Sequence, residues 1–121
     1  MSLEKAREFL KDAEMLFNNG SYNSCANRCY YSIFRASIAI LEHLGFRQSE
    51  WTHKAITSKF GAELVKRRKI LPSHIVAYIH QSFDLRVIAD YKDGSVSKSR
   101  SGRMLNNAKE FVNLIGGIIS K

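Results

Sequence analysis

The sequence predicts an all-α fold, an antiparallel up-and-down bundle of four long helices with one additional helix. Apolar residues recur at spacings of three and four along most of the 121-residue chain, and no segment alternates apolar and polar residues as a strand would. One proline and seven glycines leave few breaks, so a few long elements are expected. Short connections between long helices favour antiparallel neighbours in a bundle.

Glycines delimit the first two helices. Residues 3–18 carry one apolar stripe with charges on the opposite face, and Gly20 follows as a C-terminal cap. The second helix ends before Gly45, and Ser21 or Asn23 is its expected N-cap. The stripe that we expect it to bury is Ala26, Tyr30, Ile33, Phe34, Ser37, Ile40, Leu41 and Leu44.

Three further helices complete the bundle. The third is predicted over residues 52–69, with Thr52 as its N-cap. The fourth follows the single proline and covers residues 74–90. A polar connection, "YKDGSVSKS", leads to a last amphipathic helix over residues 98–119.

Composition predicts a single globular domain over residues 1–121. Apolar residues make up 45% of the chain and charged residues 25%, an ordinary globular balance. No apolar stretch reaches the roughly 20 residues that span a bilayer, and no signal peptide is recognisable, so we expect a cytoplasmic protein without membrane association. No glycine-rich phosphate loop or metal-ligand spacing occurs, so we expect neither cofactor nor metal. Cys25 and Cys29 are expected to be free thiols, because a helix points their side chains in parallel.

The net charge of +8 is unevenly distributed. Residues 54–69 and residues 86–109 carry most of the excess, whereas the first seventeen residues nearly balance. This asymmetry favours an anionic partner, either a nucleic acid or an acidic protein surface. The alternative is a basic surface that serves only solubility.

The segment "NRCYYSIFR" places Arg28, Tyr31 and Arg35 on one helix face. An arginine beside a tyrosine ring can bind a phosphate or stack on a base. The alternative is a core tyrosine with a surface arginine, or a buried arginine paired with an acid.

Near the end of the fourth helix, Arg86 precedes Asp90 by one turn. This order is the less favourable one, because the carboxylate lies nearer the negative end of the helix dipole. We therefore expect a tertiary partner for Asp90, with Arg28 or Arg35 as candidates.

The stretches "NRCYYSIFRASIAIL", "THKAI" and "DLRVIADY", in this order and at these separations, resemble the HEPN superfamily, in particular its small stand-alone prokaryotic branch. The resemblance covers nearly the whole chain. It implies four long helices with a shorter extra one, and a symmetric homodimer built along the helices that carry the motifs. Many members of the superfamily are metal-independent ribonucleases, and some are toxins paired with a minimal nucleotidyltransferase antitoxin.

The catalytic motif of the family is an arginine, four to six residues, and a histidine. Arg86 matches the arginine, but Tyr91 takes the place of the histidine. A histidine exchanges protons near neutral pH, whereas a tyrosine is a poor base there. His53 matches a "KH" position of this branch, altered here to "TH", and is expected to flank the same polar face.

The leading hypothesis is therefore a dimeric domain that binds RNA or a nucleotide with a degenerate ribonuclease motif, in a toxin–antitoxin-type system. Its predicted site residues are Arg86, Asp90 and Tyr91 as the degenerate catalytic set, and Arg28, Tyr31, Arg35, His53 and Lys54 as the binding set. One alternative is an active metal-independent endoribonuclease with His53 or His80 as its base. The other is a protein-interaction partner of a nucleotidyltransferase.

Overall fold

A computed structural model describes residues 2–91 and 94–121; Met1, and Lys92 and Asp93 of the predicted polar connection, lie outside the described residues. These ranges form five helices and no strand, which confirms the all-α prediction. The helices are α1 (Ser2–Asn18), α2 (Tyr22–His43), α3 (His53–Lys59), α4 (His74–Tyr91) and α5 (Lys98–Ile119), and α3 continues directly as a π-helix over Phe60–Arg67.

Helix α2 lies at the centre and packs against α1, α4 and α5. It runs antiparallel to α1, and the buried Ser32 hydroxyl donates to the Ala6 carbonyl at 2.8 Å. The first turns of α2 and α5 meet where the Ser101 hydroxyl donates to the Tyr22 carbonyl at 3.3 Å, so these two helices run in the same direction. The end of α4 approaches the start of α2, which places the "DLRVIADY" segment beside "NRCYYSIFR".

The core between these helices is apolar and includes two thiols. Phe60 and Phe111 are fully buried and stack with ring centroids 5.8 Å apart. Cys25 and Cys29 are also fully buried, with their sulfur atoms 4.0 Å apart, and both are free as predicted. Their shared hydrogen bond, together with burial, raises the pKa of the Cys29 thiol.

The predicted helix boundaries agree with the structure where a specific residue encodes them. Gly20 and Gly45 adopt left-handed backbone conformations, with φ of +79° and +97°, as C-terminal caps of α1 and α2 require. The Thr52 hydroxyl accepts a hydrogen bond from the Ala55 amide at 3.1 Å, so the predicted N-cap of α3 is confirmed.

At the start of α2, one of the two expected N-cap residues is found in position, but without a side-chain cap. Ser21 occupies the N-cap position, but its side chain makes no capping hydrogen bond to the described residues. Asn23 lies inside the helix, and its side-chain oxygen accepts a hydrogen bond from the Val96 amide at 2.7 Å. This hydrogen bond of the Asn23 side chain thus links the segment before α5 to the first turn of α2.

The third predicted helix is α-helical only as far as Lys59. A π-helix follows, which is defined by amides that bond to the carbonyl five residues earlier, as the Arg68 amide does to Glu63 at 2.9 Å. The buried pair Phe60 and Leu64 is four residues apart, a spacing that suits both helix types. The hydrophobic pattern therefore does not distinguish them.

No helix in the described ranges combines the length and apolar character that a bilayer crossing requires.

Candidate functional site

Arg86 is the centre of a polar cluster between α2 and α4. Its guanidinium carbon lies 5.0, 5.4 and 5.6 Å from the ring centroids of Tyr30, Tyr31 and Tyr91. Its Nη2 donates to the hydroxyls of Tyr31 at 3.2 Å and Tyr91 at 3.3 Å. Each cation–π contact is worth about 0.5–2 kcal/mol, more where water is excluded. The aromatic side chains thus position the guanidinium, whose side chain is 18% exposed.

Asp90 contacts Arg86 but does not accept a hydrogen bond from it. The Arg86 Nε lies 3.5 Å from Asp90 Oδ2, an ion-pair distance, yet this buried nitrogen has no hydrogen-bond partner. Asp90 Oδ2 instead accepts a hydrogen bond from the Asn27 side chain at 2.8 Å. The expected tertiary partner of Asp90 does lie on α2, but it is Asn27 and not Arg28 or Arg35.

One side of the cluster is open to solvent. Tyr91 is the last residue of α4 and is 70% exposed, whereas Tyr30 on the inner side is only 5% exposed. Burial of Tyr30 raises the pKa of its hydroxyl, and the charge of Arg86 partly opposes this shift. The Tyr91 ring is therefore the part of the cluster most open to solvent.

His53, the first residue of α3, belongs to an aromatic group next to the cluster. Its ring stacks on Phe83 at 4.1 Å and meets the His80 ring edge-on at 5.8 Å. Tyr30 lies 6.3 Å from the His53 ring and also contacts Arg86. The described contacts between His53 and Arg86 thus pass through Tyr30 rather than joining the two directly.

The environment of His53 keeps its imidazole neutral near neutral pH. Burial lowers the pKa of His53 and the neighbouring His80 lowers it further, while Asp84 acts in the opposite direction. A neutral imidazole can accept a proton or donate a hydrogen bond.

The remaining predicted site residues lie at different distances from Arg86. The Arg28 guanidinium packs 5.6 Å over the Phe9 ring, and together with Asn27 and Asp90 it lines a cavity of about 270 Å³. Arg35 and Lys54 are exposed and make no described contact with the cluster. The eight predicted residues thus separate into the Arg86 cluster, a neighbouring histidine (His53), a flanking arginine (Arg28) and two surface cations.

Sequence reasoning missed two contacts. Asn27 precedes Tyr31 by four residues, so helical spacing alone could have placed it on the same face. Tyr30 was assigned to the buried stripe, which is correct, but its ring also contacts Arg86. No signal in the sequence indicates that second contact, because it depends on how α4 packs on α2.

The cluster offers a cation, phenol hydroxyls and an exposed ring, with no imidazole in contact with Arg86 among the described residues. No three His, Cys, Asp or Glu side chains in the described part of the chain are arranged to hold a metal ion. The arrangement can bind a phosphate and stack a base, but it places no imidazole beside the arginine to exchange protons near neutral pH.

Comparisons with known proteins agree with this architecture. The sequence model of the HEPN domain family matches residues 1–118 of this chain. "Putative toxin MJ0142" of Methanocaldococcus jannaschii is 28% identical over 112 residues, covering 92% of this chain and 74% of that protein. A "UPF0332 protein" of Archaeoglobus fulgidus is 27% identical over 122 residues, covering 100% of this chain and 94% of that protein. The crystal structure of a HEPN domain protein from Thermotoga maritima has a similar fold, with a TM-score of 0.72 at 18% identity over 99% of this chain and 98% of that one. The chain therefore belongs to the HEPN domain family.

Proposed function

We propose that the chain is one dimeric HEPN domain, spanning residues 1–121, that binds RNA through the Arg86 cluster in a toxin–antitoxin-type system. The observation that carries the proposal is the Arg86 guanidinium held among three tyrosine rings, one of which is 70% exposed. Proteins that bind single-stranded RNA combine a cation that contacts a phosphate with an exposed aromatic ring on which a base stacks. The name of the M. jannaschii relative supports the toxin-type role.

We propose binding without efficient cleavage. Tyr91 lies where the family motif has its histidine, and its hydroxyl accepts a hydrogen bond from Arg86. A phenol in this place can orient a phosphate, but at neutral pH it is a poor base for the ribose 2′-hydroxyl.

The composition of α4 supports a homodimer. Apolar residues surround the whole circumference of this helix, although one face is sufficient for packing within the bundle. Phe83 and Val87 remain only half-buried in the single chain, on the helix that also carries Tyr91. A second copy against this surface would bury them and bring two Arg86 clusters close together.

The test combines RNA binding and RNA cleavage. Purified protein in EDTA is incubated with labelled single-stranded RNA, beside Arg86→Ala and a control at an exposed arginine on α1, Arg7→Ala. The expected result is binding without cleavage by wild type and by the control, and weaker binding by Arg86→Ala with its oligomeric state intact. Equal RNA affinity of Arg86→Ala and wild type at low salt would refute the proposed site.

An active metal-independent nuclease is the second candidate, and the position of His53 against Tyr30, which also contacts Arg86, favours it. Wild-type cleavage in EDTA that His53→Ala loses, with folding preserved, would establish this function instead.

The proposed partner is a minimal nucleotidyltransferase, as the family resemblance implies. A complex with it that persists at high salt would support the antitoxin pairing, and separation of the two proteins under all conditions would oppose it.

A further inference from the structure

A second cationic surface lies on the segment that follows α3. The Lys59 ammonium and the Arg68 guanidinium each lie 5.3 Å from the centroid of the Phe46 ring. We call Lys59, Arg68 and Phe46 the basic face. Neither cation is paired with a carboxylate among the described residues, whereas the adjacent Arg67 pairs with Glu63 at 2.9 Å.

The two cations flank the π-helix: Lys59 is the last residue of α3, and Arg68 follows Arg67, the last π-helical residue. Lys59 and Arg68 are nine residues apart, which in an α-helix of 3.6 residues per turn is two and a half turns and places them on opposite sides. The π-helical residues between them, Phe60–Arg67, have a wider turn than an α-helix, so Lys59 and Arg68 are shifted relative to that α-helical register. The observed contacts of both with one ring agree with the π-helical register.

The arrangement concentrates like charges that the fold does not neutralise. Residues 46–69 contain seven lysines and arginines against two glutamates. Two unpaired cations beside one ring repel each other, and an anionic ligand that contacts both relieves this repulsion.

The exposure of the basic face indicates what kind of anion would suit it, since Arg68 is exposed and Lys59 is half-buried. Large grooves of the described surface lie elsewhere, between α1 and α5 and between α1 and α2. Small anions are bound in concave sites, whereas the backbone of a polyanion needs only exposed cations at a suitable spacing. Cations already contact the Phe46 ring, so a base-stacking role is disfavoured and contact through phosphates is expected.

We infer that the basic face is a second RNA-contact surface, which binds the phosphate backbone without reading sequence. Its ligand rests on the proposed function, but its residues are separate from the Arg86 cluster. RNA that contacts both surfaces would derive its position from Arg86 and Tyr91 and part of its affinity from Lys59 and Arg68.

The expected effect follows from counterion release. Each phosphate contact on a single strand contributes about 0.7 to the slope of log affinity against log salt. Loss of two contacts should lower that slope by about 1.4 and weaken binding about 25-fold at about 0.1 M salt.

The experiment measures RNA affinity across a salt series for wild type, Lys59→Gln/Arg68→Gln, and the charge-matched control Lys5→Gln/Lys121→Gln. Both double variants lose two positive charges, but the control residues lie on α1 and at the end of the chain. Thermal unfolding of all three confirms that each is folded. The same substitutions are also made in the Arg86→Ala background, and polyglutamate serves as a second, non-nucleic-acid probe.

The expected result is a smaller salt slope for Lys59→Gln/Arg68→Gln in both backgrounds, with the control close to wild type. If RNA binding depends on Arg86 but the two double variants bind RNA equally well, the basic face is not an RNA-contact surface. The proposed function would then still stand. A wild type that binds no RNA would overturn both. Loss of polyglutamate binding with unchanged RNA affinity would overturn the RNA assignment in favour of an acidic protein.

Discussion

A double-mutant cycle on Arg86 and Asp90 tests the electrostatics of the cluster. Two unit charges 3.5 Å apart attract by about 1 kcal/mol in water and by about 5 kcal/mol at an effective dielectric constant of 20. The two side chains are 18% and 26% exposed, and the contact lacks hydrogen-bond geometry, so the smaller figure applies. We expect a coupling free energy of about 1 kcal/mol between Arg86→Met and Asp90→Asn.

The single substitutions should differ from each other. Asp90→Asn keeps an oxygen that accepts the hydrogen bond from Asn27. It also removes a carboxylate from the negative end of the α4 dipole, which should stabilise the fold by about 0.3–1 kcal/mol. This gain in stability offsets most of the lost attraction to Arg86. Arg86→Met loses its bonds to two tyrosine hydroxyls and its cation–π contacts, so it should cost about 2 kcal/mol.

Urea unfolding of wild type, the two single variants and the double variant measures the coupling at low and at high salt. The coupling should decrease as salt screens the partly exposed pair. A coupling of zero at low salt would mean that Asn27 alone positions Asp90. A coupling that is several-fold larger and insensitive to salt would refute the solvent-screened description of the pair.

Three further predictions follow from the same structure. Tyr91→His places an imidazole after Arg86 with four residues between them, so the variant should cleave RNA in the presence of EDTA. A denaturing gel would detect the cleavage products. RNA binding by the variant without cleavage would count against Arg86 as the motif arginine. The pKa of His53 is lowered from 6.5, so protonation favours unfolding and wild-type stability should rise as pH increases from the folded pKa to 6.5. Urea midpoints of His53→Gln should lack that rise, and an unchanged pH slope would contradict the assignment. The pKa of Glu110 is lowered below 4.5, first by its hydrogen bond from His74 at 3.0 Å, so its stabilisation is full above pH 4.5 and is lost as pH falls through the folded pKa. Thermal unfolding of Glu110→Gln should show a smaller loss of stability on acidification, and a loss equal to that of wild type would oppose this role.

Much of the fold was predictable because local chemistry encodes it. Glycine favours the left-handed backbone that Gly20 and Gly45 adopt. The hydroxyl of Thr52 favours its position as the N-cap of α3. The π-helix was not predictable from hydrophobic spacing, because Phe60 and Leu64 are compatible with either helix type. Backbone hydrogen-bond register in that segment depends on tertiary packing, which a single sequence does not specify.

The candidate site was predictable to the extent that its residues share a helix face. Arg86, Asp90 and Tyr91 lie within two turns of α4, and Tyr31 was identified from its spacing to Arg28. Which face of α4 meets which face of α2 is a property of the assembled bundle. For that reason the partner of Asp90 was expected to be an arginine, although it is the neighbouring amide of Asn27.

The two buried thiols provide an internal reporter of unfolding. Cys25 and Cys29 are fully buried on the central helix, so a thiol-modifying reagent reaches them only when α2 separates from its neighbours. When closing is faster than modification, the labelling rate gives the free energy of that opening in the unmodified chain, without an added fluorophore. Ligand that binds only the native state should slow labelling in proportion to its occupancy, so RNA and a protein partner can be compared in one measurement.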